Sequence, residues 1–419
     1  MFRFIHTADV HLDSPLRSLA LKEPEAAGLV ANATRQSFSK TVDICIEEKA
    51  DAFLIAGDLY DGELRSMKTA AFFAGEMRRL AASGVKVYMV RGNHDAESVV
   101  TKHLDLPDNV YVFSKNGEAV RVDGKDVVLH GMSFAKPAAP QSLLPHYSPA
   151  VSGSINIGLL HTSLAGSSEH DVYAPCSLQD LLNQGYDYWA LGHIHKREVH
   201  ATTPSTVVMP GIPQGRHINE AGPKSITYVT IDANQHVQIE ERHTNLVQFE
   251  RINVDLSGVE KWRGVVERAE EQIGSIFDKA QAGHVIARIH LTGTTTLAMQ
   301  LRRDADVLAE ELREAGRRSG STFIEKVVNE TASKAGGTRS SSAEPITELR
   351  QLLQNEGMDR SNVLERTQEL LDELKKKLPP QLRDRFEAQQ DDSGSLIENY
   401  LRQGTEEVLA QLVASGERA

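Results

Sequence analysis

FLIAGDLYD, residues 53–61, begins as an apolar segment and ends in carboxylates. Its first residues are all apolar, and Gly57 then precedes Asp58 and Asp61. A short apolar run bounded by turn residues is typical of a strand that is buried on both faces. The segment therefore predicts a buried strand with acidic side chains at its carboxyl end.

Alternating strand and helix patterns flank this segment. RFIHTAD (3–9) and VKVYMVRGNHD (85–95) predict strands, while 33–50 and 67–84 predict amphipathic helices. This alternation indicates a layered α/β fold. After about residue 105 the strand patterns predominate, so we expect a second sheet packed on the first. The predicted fold class is α/β, with two packed mixed sheets flanked by helices.

The chain of 419 residues is long enough for several domains. The two-sheet domain is predicted to span 1–246, and a small α+β capping domain to span 247–332, with helical patterns at 258–280 and 297–316. Glycine and serine in SKAGGTRSSSAEP predict a flexible linker at 333–345. Leucines at spacings of three and four residues predict a helical tail at 346–419.

Composition limits the compartment and the partners. Only Cys45 and Cys176 are present, which excludes a disulfide framework and suggests a reducing compartment. The first residues do not resemble a signal peptide, and no apolar run reaches the roughly 18 residues of a membrane span. We therefore expect a cytoplasmic protein without a membrane partner. The net charge of −12 counts against nucleic acid, but bound divalent cations would offset carboxylates at a metal site.

Five apolar runs each end in aspartate, asparagine or histidine. In order along the chain, these residues are Asp9 and His11; Asp58 and Asp61; Asn93, His94 and Asp95; His161; and His193 and His195. Ligands of layered α/β folds bind at the carboxyl ends of the strands, so the five ends can converge on one pocket. Oxygen and imidazole donors without thiolate suit manganese, iron or zinc.

The candidate ligands are too numerous for one ion, so the sequence predicts two divalent metals. Such a pair activates water and binds the oxygens of a phosphoryl group. Asp58, at a strand end, is the candidate bridging carboxylate. Glycines 57, 92 and 192 each precede a candidate ligand and would permit sharp turns.

The motifs resemble a known family. Asp9-x-His11, Gly57-Asp58-x-x-Asp61, Gly92-Asn93-His94-Asp95, His161 and Gly192-His193-x-His195 resemble the signature of the calcineurin-like metallophosphoesterases. HTADVHLDSPL, AGDLYD, VRGNHD and LGHIHKREV followed by MPGIPQG are similar to the SbcD-type DNA repair exonucleases, and among these to the YhaO-like bacterial branch. The resemblance covers residues 1–244 and extends more loosely to about residue 332.

The resemblance implies a role for each site residue. One metal would be held by Asp9, His11, Asp58 and His195, and the other by Asp58, Asn93, His161 and His193, with manganese as the expected ion. His94 would stabilise the phosphate or protonate the leaving oxygen. Asp61 would hydrogen-bond His94 and fix its ring. The archaeal and eukaryotic nucleases of the family have a histidine at that place, whereas the bacterial branch has aspartate.

Other polar residues have weaker expectations. Asp95 is expected in a turn or supporting a ligand, and His6 and His130 in the core or on the surface. Arg216 and His217 could face either substrate or solvent. The arginine pairs 302–303 and 317–318 of the capping domain are expected on solvated helix faces, with phosphate contact as the alternative.

The implied function is a metal-dependent DNA exonuclease or endonuclease in DNA repair. Its implied partners are DNA, an SbcC-like coiled-coil ATPase and a second copy in a homodimer. We hypothesise that the amphipathic helices of the tail dock the ATPase; the alternative is that they pack on their own chain or form the dimer contact. A metallophosphoesterase for small-molecule phosphodiesters or phosphoproteins is an alternative, because all of these share the metal core. A non-catalytic scaffold for an ATPase is disfavoured, because every ligand position is filled.

Overall fold

The computed structural model describes residues 1–14, 24–61, 66–97, 106–164 and 173–333, and a few single positions beyond them. Apart from Ser333 and those single positions, the predicted linker and helical tail lie outside the described residues. In the part of the chain that is described, no helix has both the length and the apolarity that a bilayer crossing requires.

The described elements alternate strand and helix in the first part of the chain and are mainly strands between residues 110 and 255. Up to residue 131 they are β1 (Phe2–Thr7), α1 (Pro24–Glu47), β2 (Ala52–Ala56), α2 (Met67–Ala82), β3 (Lys86–Val90), α3 (Asn93–Glu97), β4 (Val110–Val112), β5 (Glu118–Arg121) and β6 (Val127–Gly131). Then come β7 (Ile155–His161), α4 (Leu178–Asn183), β8 (Tyr188–Gly192), β9 (Glu198–Ala201), β10 (Thr206–Met209), β11 (Ser225–Ile231), β12 (Val237–His243) and β13 (Val247–Asp255). The last are α5 (Trp262–Lys279), β14 (His284–Thr292), β15 (Thr294–Thr295), α6 (Ala298–Arg303), α7 (Ala305–Arg318), β16 (Thr322–Asn329) and β17 (Ala332–Ser333).

Two six-stranded mixed sheets form the larger part of the fold. The first has the order β12-β11-β1-β2-β3-β4, in which β1 to β4 are parallel and β11 and β12 are antiparallel additions. The second has the order β5-β6-β7-β8-β10-β9, with a parallel centre and antiparallel edges. The predicted α/β class with two packed mixed sheets is confirmed.

Alternate residues of the central strands face different layers. Leu54 of β2 packs between the sheets, whereas its neighbours Phe53 and Ile55 pack in the cluster that contains residues of α1 and α2. On the outer face of the second sheet, Trp189 of β8 packs with Leu181 of α4. Because both faces of these strands are buried, their sequences are apolar throughout.

Contacts divide the chain into two compact units. Among the described residues, the first comprises Met1–Arg251, Phe277–Ala287 and Ser321–Glu325, and the second comprises Ile252–Ile276, Arg288–Gly320 and the residues from Lys326 to Ser333. In the second unit α5 and α7 are joined by a hydrogen bond from Trp262 Nε1 to Glu311 (2.6 Å).

The helix predicted at 297–316 is two helices. Asp304 ends α6 and begins α7, with its carboxylate paired to Arg303 at 3.0 Å. The backbone of Asp304 (φ −103°, ψ 32°) departs from helical values, and its side chain makes no capping hydrogen bond. The continuous helical pattern in the sequence gave no sign of this break.

Packing between β7 and β8 generates a stability prediction. A Cβ built on Gly158 would lie 2.3 Å from Cζ3 of Trp189. Gly158→Ala should therefore lower the free energy of unfolding by about 1–3 kcal/mol, measured by denaturant unfolding. Gly75→Ala is the control, because a Cβ at this position in α2 meets nothing within 4 Å and should stabilise the helix by about 0.5–1 kcal/mol. Equal stability of Gly158→Ala and the wild type would contradict the packing.

Candidate metal centre

The loops after β1 and β2 are hydrogen-bonded to each other. Asp9 N donates to Gly57 O (3.0 Å), and His11 N donates to Asp58 O (3.1 Å). Asp9, His11 and Asp58 have φ values of 51°, 44° and 51°, and His193 after β8 has a φ of 106°. Non-glycine residues rarely adopt positive φ, and such strain is concentrated at functional sites. The backbone pairing thus presents these side chains together despite a conformational cost.

The predicted ligands fall into two groups. Asp9, His11 and His195 form one group, in which one donor atom from each residue lies within 4.8 Å of the others. Asp58, His161 and His193 form the second group by the same measure. The first set is group 1, and the second is group 2.

Two further contacts extend these groups. Asn93 adjoins group 2, with its Oδ1 2.9 Å from His161 Nε2. Asp58 Oδ2 is 3.4 Å from the same nitrogen, and Asp58 Oδ1 accepts a hydrogen bond from His94 N (3.0 Å). The structure therefore brings all seven predicted metal ligands into one site.

The imidazoles of group 1 are oriented by carboxylates. His11 Nδ1 lies 2.6 Å from Asp61 Oδ1, and His195 Nδ1 lies 2.8 Å from Glu220 Oε1. A carboxylate accepts a hydrogen bond, so we assign the proton of each ring to Nδ1 and a lone pair to Nε2. The two Nε2 atoms face each other at 3.3 Å. Neutral rings with these tautomers have no proton for that contact, and it is repulsive without a cation.

This separation fits a divalent metal ion. Metal–nitrogen bonds of about 2.0–2.1 Å place two imidazole nitrogens about 3.0–3.4 Å apart on one ion. The donor set of carboxylates, amide and imidazoles suits manganese, iron or zinc. The residues therefore fit a metal in group 1 by geometry, and in group 2 by donor chemistry.

The buried carboxylates of the site also favour a bound metal ion. Burial raises the pKa of Asp9 to about 6. Burial would also raise the pKa of Asp58, but the charge and hydrogen bond of His161 lower it instead. Burial would lower the pKa of His161, but the neighbouring Asp58 carboxylate raises it to about 9. Carboxylates buried this deeply require a neighbouring positive charge, which divalent cations supply.

His94 lies beside both groups without belonging to either. Its side chain is 44% exposed, and its ring centroid is 5.2 Å from that of His11. The predicted hydrogen bond to Asp61 is not formed, because Asp61 Oδ1 is 4.0 Å from His94 Nδ1. Asp61 contacts the buried His11 instead, and this shorter contact fixes the carboxylate.

Glu220 is a residue that the sequence analysis missed. It is buried and lies in a short 3₁₀ turn, Ile218–Glu220, where no periodic pattern marks it. Arg216 N and Nη2 donate to Glu220 at 2.7 and 3.0 Å, so Arg216 faces the site rather than solvent. His217 is 46% exposed. A charged residue shortly after the MPGIPQG motif was the only available signal.

The remaining polar residues have structural roles. Asp95 is buried and accepts hydrogen bonds from the backbone of Leu59, Tyr60 and Gly92, as expected of a supporting residue. His6 and His130 are buried, and each is hydrogen-bonded within the core.

Arg302 corrects an expectation for the second unit. It is buried and donates to the carbonyls of Ala298 and Thr331, so it does not lie on a solvated helix face. Arg303, Arg317 and Arg318 form exposed ion pairs with neighbouring carboxylates.

Comparison with known proteins identifies the family. The family model for calcineurin-like phosphoesterases matches residues 2–197, and the model for the middle domain of the metallophosphoesterase YhaO matches residues 249–332. The metallophosphoesterase YhaO of Bacillus subtilis is 33% identical over 296 residues, which cover 70% of this chain and 72% of that protein. The chain belongs to the calcineurin-like metallophosphoesterase family. It is therefore a hydrolase of phosphoester bonds.

Two more distant relatives of this metallophosphoesterase are archaeal. The DNA double-strand break repair protein Mre11 of Methanopyrus kandleri is 25% identical over 351 residues, covering 75% of this chain and 71% of that protein. The protein of the same name from Sulfurisphaera tokodaii is 26% identical over 205 residues, covering 47% of this chain and 50% of that protein.

The raised pKa of His161 generates a prediction for metal binding. Only a neutral imidazole binds a metal, and with a pKa of about 9 His161 is protonated in the metal-free protein at about pH 7. Manganese binding should therefore release protons, and its affinity should fall as pH is lowered. Calorimetric titrations in two buffers of different ionisation enthalpy measure the release. Equal binding heats in both buffers would contradict the prediction.

Proposed function

We propose that this metallophosphoesterase is a two-metal phosphodiesterase. In this proposal Asp9, His11, Asp58 and His195 hold one ion, and Asp58, Asn93, His161 and His193 hold the other, with manganese as the preferred metal. The observation that supports it most directly is the 3.3 Å approach of the His11 and His195 Nε2 atoms, both oriented by carboxylates. When bound, the ions polarise the phosphoryl group and supply an activated water at neutral pH.

His94 is the proposed general acid. Its ring is partly exposed beside group 1, and its backbone N–H is fixed on Asp58, so the imidazole can reach a leaving oxygen without being a ligand. Protonation of that oxygen prevents an alkoxide from accumulating as the ester bond breaks. Asp61 positions His11 in this account and does not act on substrate.

DNA is the proposed substrate. The similarity to the Methanopyrus kandleri repair protein supports this, because it extends over 75% of the chain, well beyond the residues 2–197 that match calcineurin-like phosphoesterases in general. We assign residues 1–246 to catalysis and residues 247–332 to a domain that caps the site and contacts DNA. The linker at 333–345 and the tail at 346–419 would dock an SbcC-like ATPase, and the protein would act in DNA repair as a homodimer. The buried free thiols of Cys45 and Cys176 suit the reducing cytoplasm.

The role of His94 is tested by substitution. His94→Ala should lower kcat for an aryl phosphodiester by about 100- to 10,000-fold while the metal content of the purified protein stays unchanged. Asp58→Ala should instead lose metal, because its carboxylate would serve both ions. His236→Ala, which removes an exposed histidine on the β11–β12 turn, is the control and should be fully active. Loss of metal from His94→Ala would make His94 a ligand and overturn the assignment.

The substrate class is tested with end-labelled DNA. Linear and hairpin duplexes incubated with manganese should be degraded, with further stimulation by an SbcC-like ATPase and ATP. Chelation or His94→Ala should abolish the cleavage. Hydrolysis of the aryl diester without any DNA cleavage, even with the ATPase, would favour the small-molecule alternative. Absence of both activities would favour the scaffold.

A further inference from the structure

The two groups of metal ligands are supported differently. In group 1 both imidazoles contact carboxylates through Nδ1: His11 contacts Asp61 at 2.6 Å, and His195 contacts Glu220 at 2.8 Å. In group 2, Nδ1 of His161 contacts the neutral backbone carbonyl of Ala56 at 2.9 Å. At least one imidazole of group 2 therefore has a neutral acceptor at Nδ1, where both imidazoles of group 1 have a carboxylate.

Arg216 hydrogen-bonds one of the two carboxylates behind group 1 and lies near the other. Glu220 accepts hydrogen bonds from Arg216 N (2.7 Å) and Nη2 (3.0 Å), and Arg216 Nη1 lies 3.7 Å from Asp61 Oδ1. Arg216 Nη1 also donates to Ser14 Oγ at 3.4 Å. The Arg216 and Glu220 side chains are only 14% and 6% exposed, so water screens their interaction weakly. Arg216 therefore fixes Glu220, the acceptor for His195, and lies within ion-pair distance of Asp61, the acceptor for His11.

Carboxylates at Nδ1 change the basicity of the imidazole ligand as well as its orientation. A hydrogen bond from imidazole Nδ1–H to a charged acceptor raises the basicity of Nε2 and fixes the ring. Hydrogen bonds to ionised acceptors are also roughly twice as strong as those between neutral groups. Removing such an outer partner typically weakens metal binding by about 10- to 100-fold.

We propose that Asp61 and Glu220, the carboxylates that contact His11 and His195, make group 1 the tighter of the two metal sites, with Arg216 holding Glu220 in place. Group 1 then fills first, and group 2 fills at higher metal concentration. The inference rests on the proposed two-metal function and adds to it an order of binding and three positioning residues. These residues act through His11 and His195 and touch no substrate.

Calorimetric titration of the metal-free protein with manganese tests the order. The wild type should show two classes of site. Glu220→Gln keeps the shape of the side chain but removes its charge, and it should weaken the tight class by about 10- to 100-fold. Asp61→Asn should weaken the same class. Asn93→Ala removes a candidate ligand of group 2 and should abolish the weak class while the tight class remains.

Glu198→Gln is the matched control. Glu198 Oε1 lies 3.4 Å from His200 Nδ1 on β9, so this is another glutamate–histidine pair, but neither residue belongs to the metal groups. Its substitution should change neither class. The melting temperatures of the metal-free variants separate positioning from folding, because a positioning role predicts altered affinity with little change in stability. If Glu220→Gln fails to fold, Asp61→Asn carries the test, because Asp61 is 23% exposed.

The outcomes separate this inference from the proposed function. Suppose that the wild type binds two ions. The inference is then overturned if Glu220→Gln and Asp61→Asn weaken the class of site that Asn93→Ala abolishes, and it is also overturned if they weaken neither class. If the wild type binds no manganese, the proposed function itself fails. Selective weakening of the class that survives in Asn93→Ala supports the assignment.

Discussion

Burial of Asp9 and Asp58 at the ends of adjacent parallel strands is the constraint on which the site depends. Both carboxylates are almost fully buried, and their loops are held together by backbone hydrogen bonds. Water cannot screen charges placed in this way, so positive charge must be supplied nearby. Histidines supply part of it in the metal-free protein, and His161 accordingly has a raised pKa. The family assignment and the donor chemistry make divalent ions the natural counter-charge.

The two-sheet architecture brings ligands from opposite layers to this point. His193 N donates to Asp9 Oδ2 (2.9 Å), and His161 Nδ1 donates to Ala56 O (2.9 Å), so the second sheet contacts the carboxyl ends of β1 and β2. Close approach requires glycine: a Cβ on Gly192 would lie 2.0 Å from Ala56 O, and one on Gly92 would lie 2.2 Å from Asp58 Oδ1. Of the three glycines expected to permit sharp turns, only Gly57 has a positive φ (94°). Gly92 and Gly192 instead leave room for the close approach of Asp58 and Ala56.

Sequence reasoning located the candidate ligands because they share one signal, a polar side chain directly after an apolar run. It placed Asp9, Asp58 and His161 at strand ends, where the structure brings them together. Sequence reasoning did not identify Glu220, because this residue lies in a short turn and contacts a histidine 25 residues earlier in the chain. It assigned Asp61 the wrong partner, because spacing along a loop does not decide between two neighbouring imidazoles. Local sequence patterns predict helices and strands, whereas these side-chain contacts depend on the tertiary arrangement of the loops.

The central claim, that one bridged pair of metals occupies this site, is tested most directly by anomalous diffraction. Crystals of the protein grown with manganese should show two anomalous peaks, one in each group, with the Asp58 carboxylate between them and His94 bound to neither. The peak in group 1 should lie beside the facing Nε2 atoms of His11 and His195. At a manganese concentration that fills both classes of site, a single peak, or a peak coordinated by His94, would contradict the account.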